Sequence, residues 1–157
     1  MEELVLNKIR FTLPEGFVKL NEEEVQTMNL IKEGDDYGVY RNEERHIVAS
    51  LAYKKANALL SLFVNEKEAI ENMEKQIAEP MKAYGYERKA FVEENVAEEQ
   101  AQGFNYTYDV SGVKMEGLSY ILKEKNDLYY LHFYFRKENE TKDLPLIKEI
   151  LNSAKRV

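Results

Sequence analysis

Cysteine and tryptophan are absent from this chain of 157 residues, and histidine appears only twice. Without cysteine there is no disulfide, no thiol nucleophile and no cysteine-ligated zinc. Positive charge is also short. Twenty-two Lys and Arg stand against 29 Asp and Glu, a formal net charge of −7. Nucleic-acid binding rests on clustered cations, and an anionic membrane surface asks for the same, so neither partner is expected. No apolar run approaches the roughly 18 residues of a membrane-spanning helix. The acidic start Met1-Glu2-Glu3 lacks the basic and then apolar profile of a signal peptide. With Met1 as the native start, this predicts a cytoplasmic protein; a removed leader would undo the inference. The seven glycines are scattered singly, so no loop is built to cradle phosphate. Internal repeats and low-complexity segments are also missing.

What is present suits a globular domain. The chain is 44% hydrophobic and 11% aromatic, which is ample for a core. Its length fits one domain over 1–157. The densest stretch is 103–136. There Phe104, Tyr106, Tyr108 and Val110 alternate with polar residues, the period of a half-buried strand. Ser111-Gly112 and Lys125-Asn126-Asp127 supply turns, so a three-stranded meander is predicted. Upstream, 4–6 and 9–13 read as two short strands or as one bent at Asn7-Lys8, ended by Pro14-Glu15-Gly16. Asn21 followed by three glutamates marks a helix start, with Val25, Met28 and Leu30-Ile31 apolar and Gly34 ending it. Residues 37–41 and 46–53 form a hairpin whose second arm is apolar on both faces, as in a central strand. Residues 58–64 are apolar but too short to assign.

The clearest helix covers 65–85. Asn65 caps it, with Glu68 at the capping-box position. Ile70, Met73, Ile77, Met81 and Tyr84 form one stripe, and Gly85 ends it. Pro80 should bend or loosen its last turn. A strand over 86–94 follows, with Asn95 near a turn, and 96–102 leads into the meander as a lengthening of its first strand. A final helix is capped by Asp143 or Thr141, with Pro145 in its first turn and an apolar face of Leu144, Ile147, Ile150 and Leu151.

The element order resembles that of the PsbP-like, or DcrB-like, superfamily. The residues that carry the likeness are Phe11-Thr12-Leu13-Pro14-Glu15-Gly16-Phe17, Gly103-Phe104, and Leu146-Ile147-Lys148-Glu149-Ile150-Leu151-Asn152-Ser153. The superfamily includes a photosystem II extrinsic protein, a eukaryotic Ran-binding protein, and bacterial lipoproteins and cytoplasmic proteins. The resemblance implies an antiparallel sheet with helices against it, and a non-catalytic binder, adaptor or chaperone. It carries no site motif, so it transfers no functional residue.

Candidate chemistry is sparse. His46 and His132 each fall within a predicted strand, and neither has a His or Cys two to four residues away, as a metal pair would. Gly-x-Ser-x-Gly is missing. The paired carboxylates lie at helix starts, turns and strand ends without calcium-loop spacing, and read as solvated charge. No catalytic residue, metal or cofactor is expected. The strand over 128–136 is more informative. Tyr129, Leu131, Phe133 and Phe135 make a plain core face. Tyr130, His132, Tyr134 and Arg136 make an amphipathic one, and Tyr and Arg are enriched at interface hot spots. The same face would also suit a core margin where hydroxyls reach the edge. The reading is therefore a single α+β domain, an antiparallel sheet of about six strands flanked by helices. Its expected role is non-enzymatic binding of a protein partner through the Tyr130, His132, Tyr134, Arg136 face or a sheet-helix groove. The alternative is a small-molecule or lipid carrier. An enclosed apolar pocket would favour the carrier, an open aromatic patch the protein binder.

Overall fold

The computed structural model describes residues 1–28, 36–55 and 65–157. Alternation decides the first elements. In β1 (Glu2–Leu6) and β2 (Ile9–Leu13), Leu4, Leu6, Ile9, Phe11 and Leu13 point inward and are buried. They are two strands, joined at Asn7 with φ of 53°. The short β10 (Lys155–Arg156) adds to β2 and completes a three-stranded sheet. After the Pro14 turn, β3 (Phe17–Lys19) buries Phe17 and exposes Val18. Helix α1 (Glu22–Thr27) starts in a full capping box: the Asn21 side chain accepts from the Glu24 amide at 2.8 Å, and Glu24 accepts from the Asn21 amide at 3.1 Å. Leu30-Ile31, Gly34 and the run 58–64 lie outside the described residues.

The hairpin of β4 (Asp36–Asn42) and β5 (Ile47–Lys55) follows. His46 is in its turn, not its strand, with φ of 58°. Helix α2 (Glu66–Met81) is capped by Asn65, whose side chain accepts from the Glu68 amide at 2.8 Å. Beyond Pro80 the winding tightens to a 3₁₀ turn, Lys82–Tyr84, closed by Gly85 with φ of 71°. Four antiparallel strands come next: β6 (Glu87–Val96), β7 (Glu99–Val110), β8 (Val113–Glu124) and β9 (Asp127–Arg136). The meander is thus one strand longer than predicted. Ala97 and Glu98, with φ of 51° and 69°, turn the chain between β6 and β7, two residues beyond the turn expected near Asn95, and 99–102 lengthens the first strand of the meander as expected.

A 3₁₀ turn, Lys137–Asn139, runs straight into helix α3 (Glu140–Asn152). The start expected at Thr141 or Asp143 is therefore corrected. Asp143 is already inside the first turn and fully buried, accepting from Arg45 Nε at 2.8 Å. A carboxylate there meets the positive end of the helix dipole, and Arg45 brings the β4–β5 turn to it. Pro145 sits beyond the first turn, where its missing N–H removes a helical hydrogen bond.

The main sheet has seven antiparallel strands in the order β3-β4-β5-β9-β8-β7-β6. This is the expected α+β class, with the N-terminal strands set apart in a sheet of their own. One face packs on the small sheet and α3, burying Phe11, Leu51, Leu131, Phe133, Phe135 and Ile147. The other is covered by α2, through Ile70, Met73 and Ile77, and by α1, through Val25. Strand β5 is buried on both sides, as its apolar run predicted. Ile77 is 2% exposed, so Ile77→Ala should cost about 2–5 kcal/mol from lost burial and the cavity left behind. A chemical denaturation midpoint equal to wild type would show that α2 is not held by this stripe.

Candidate functional site

Strand pairing sets the site. Two rows of side chains cross the α2 side of the sheet: Val48, Tyr134, Gly117 and Tyr106, and beside it Ser50, His132, Ser119 and Phe104. Gly117 is the open position in the first row. A Cβ there would lie 2.1 Å from Cζ of Tyr106, so the Tyr106 ring lies flat across β8. Phe104 and Tyr108 flank it at centroid distances of 5.5 and 5.9 Å, and Tyr86 at 5.3 Å. This aromatic platform is what α2 sits on. Burial pushes the Tyr106 phenol well above its ordinary pKa, with Tyr134 adding to the effect and Ser119 opposing it. Burial likewise raises Tyr108.

The four residues singled out from sequence take different places. His132 is buried, its Nδ1 2.8 Å from Ser119 Oγ, with its ring stacked on Tyr134 at 6.4 Å. The Ser119–His132 contact resembles half of a hydrolytic dyad, yet Ser119 is itself wholly buried. Tyr130 is half-buried against the α2 cluster. Arg136 is partly exposed at the strand end, 3.9 Å from Glu138. Tyr134 is half-buried and forms part of a cleft.

That cleft has a volume of about 590 Å³. Its helix wall is Ile77, Pro80 and Met81; its sheet wall is Tyr108, Met115 and Tyr134; Met28 and Val48 close one end. Tyr84 and Val110 line it while remaining 50% and 43% exposed, so the mouth is open. Among the described residues no charged side chain lines it. The surface offers dispersion contacts, adaptable methionines and phenol hydroxyls, which suits apolar matter with a few hydrogen-bonding groups. Among the described residues no cluster of His, Asp or Glu is placed to hold a metal ion.

Sequence reasoning names Tyr134 and a groove between sheet and helix, but not the residues that line it. Met28, Ile77, Met81 and Tyr84 read as core stripe, because period reveals which face is apolar and not how far a neighbour covers it. Pro80 is the available signal, because it marks where the α2 winding changes to the 3₁₀ turn that carries Tyr84 at the mouth of the cleft.

No sequence-family model matches this chain, and no curated protein sequence matches it. Solved structures do. Cyanobacterial PsbP (CyanoP) of Synechocystis sp. PCC 6803 superposes with a TM-score of 0.72 at 10% identity, covering 99% of this chain and 92% of that one. The Ran-binding protein Mog1p of Saccharomyces cerevisiae gives 0.61 at 12% identity, with 98% and 93% covered. LpqN of Mycobacterium tuberculosis, involved in cell envelope biogenesis, gives 0.52 at 10% identity, with 95% and 83% covered. The fold is therefore PsbP-like, as the element order suggested.

The platform yields a direct test. Gly117→Ala forces the Tyr106 ring off β8 and should destabilise the domain by about 1–3 kcal/mol, as overpacking does. Unchanged thermal stability, with unchanged aromatic NMR shifts of Tyr106, would show that the ring has room to spare.

Proposed function

We propose that this chain, with the fold seen in PsbP and Mog1, is a non-enzymatic protein-binding module that grips an apolar segment of its partner in the α2–sheet cleft. The observation that carries the reading is an open cleft, uncharged among the described residues, with two large apolar side chains, Tyr84 and Val110, left exposed at its mouth. Leaving such groups in water is unfavourable unless something covers them. Methionines at Met81 and Met115 can repack around different side chains, and tyrosines are frequent binding hot spots. Of the four residues singled out in the sequence, Tyr134 meets the partner from the wall and Arg136 from the strand end. Tyr130 and His132 flank the platform on the same side of the sheet. The description of Mog1p as a Ran-binding protein supports a protein partner for this architecture.

A small-molecule or lipid carrier is the second reading, favoured by the cleft volume of about 590 Å³, which falls in the usual range for ligand sites. The open mouth weighs against it, since a small ligand would stay partly wet.

Tyr84→Asp and Val110→Asp change exposed positions, so each should cost under about 0.5 kcal/mol in stability. Each should weaken capture of the partner from native-host extract at least about tenfold, as loss of a hot spot does. Equal capture by wild type and both variants would overturn the use of this cleft. A small molecule released on denaturing the purified native protein, with no protein captured through the cleft, would establish the carrier reading instead.

A further inference from the structure

The seven-stranded sheet ends at β3 on one side and β6 on the other. Strand β3 has three residues, too few for a lasting ladder; β6 has ten. Among the described residues β6 pairs only with β7, so one edge of it carries free backbone donors and acceptors. Its first five residues, Glu87 to Phe91, are all exposed, and Phe91 is 49% exposed with the Arg88 guanidinium 4.4 Å from its ring centre. A long exposed edge invites strand addition, and proteins usually guard it with charge and with bulges. Both devices are present here: charged residues surround Phe91, and the ladder with β7 shifts between Arg88 and Ala90.

The order of those charges is informative. The segment reads Glu87-Arg88-Lys89-Ala90-Phe91-Val92-Glu93-Glu94-Asn95. Its basic residues lie before Phe91 and its acidic pair after it. Set antiparallel to a second copy, with Phe91 on the two-fold axis, Ala90 faces Val92, and Lys89, which the bulge leaves out of the ladder with β7, comes beside Glu93, while Arg88 and Glu94 keep their ion pairs with Glu74 at 3.0 Å and Lys148 at 3.8 Å. Every pair occurs twice, as an isologous contact requires. A slip that centres Glu93 instead sets two carboxylates against each other on the axis. Opposed like charges disfavour that register, and opposed unlike charges favour the first. The charges that deter other strands thus admit one. Both groups are accessible for the exchange: Lys89 now sits 3.3 Å from the exposed Glu87, and Glu93 accepts from Gln100 at 2.8 Å on the surface.

We propose that the β6 edge is a self-recognition surface, on which a second copy of this chain pairs antiparallel about Phe91. The two seven-stranded sheets then run on as one. The interface is narrow, two strands and their flanking side chains, so the dimer is of the weak and transient class. It lies at the sheet edge away from the α2 cleft, so it stands or falls separately from partner binding there.

The test uses charge reversal and complementation. Sedimentation equilibrium from about 10 µM to about 1 mM at low salt should show reversible dimerisation of the wild type, the range expected of a small interface. Glu93→Lys alone sets two ammonium groups against each other, and Lys89→Glu alone sets two carboxylates against each other, twice in each dimer. Each single variant should dimerise about tenfold more weakly or worse. Mixed in equal amounts, the two variants bring like-charged strands of opposite sign together, and the mixture should dimerise as well as wild type. Phe91→Lys, which sets two cations on the axis, should remain monomeric. A wild type that stays monomeric throughout the range overturns the proposal. So do single variants that associate like wild type, or a mixture that associates no better than its components; association insensitive to all three changes would place self-contact elsewhere.

Discussion

The seat of the long helix depends on a side chain that is missing. At Gly117 nothing projects from the sheet, and the Tyr106 ring occupies the space from the neighbouring strand. Burial of a full phenol ring is worth several kcal/mol, and the ring carries its hydroxyl toward Ser119 and Tyr134. The platform of Phe104, Tyr106 and Tyr108 is thereby raised over β7 and β8, and Ile70, Met73 and Ile77 close on it. The helix is committed to that side of the sheet. Toward β9 and β5, at its Pro80 end, it covers less, and the cleft is what remains.

The other face lies against the small N-terminal sheet. There the small sheet and α3 share one continuous core with β4, β5, β8 and β9. Gly38 on β4 lets Leu4 approach, since a Cβ would lie 2.9 Å from its side chain. Two buried carboxylates bind the rim. Asp143 is held by Arg45, and Glu116 by Lys137 at 3.1 Å. Burial raises the Glu116 carboxyl, while Lys137 pulls it back. Removing either cation would strand a buried acid, which is costlier than the pair is stabilising. The face under α2 thus carries an open cleft beside its core, and the proposed binding is placed there.

Much of this was legible in residue spacing. The alternation of Phe104, Tyr106 and Tyr108, the stripe of α2, and the caps at Asn21 and Asn65 are local rules that the structure follows. The fold class followed from their order. The unread parts are non-local. The turn expected near Asn95 falls instead on Ala97 and Glu98 at positive φ, residues that carry no turn signal. Asp143 resembles a cap until Arg45, 98 positions away, claims it. Gly117 looks like one more small strand residue, and only the packed sheet shows which ring lies over it. The same limit hides the lining of the groove expected between sheet and helix: Met81 and Met73 belong to one stripe, and sequence does not distinguish the one that is sealed from the one left at the groove.

That distinction is also the most direct measurement. The chain has five methionines, and their methyl groups can be followed by NMR while a soluble paramagnetic agent is added. Met1 is 82% exposed and Met73 is 3% exposed, which fixes the two limits. An open cleft requires the methyls of Met81 and Met115 to broaden well beyond Met73, toward the behaviour of Met1. If both stay as protected as Met73, the groove between α2 and the sheet is closed in solution, and the binding account built on it is wrong.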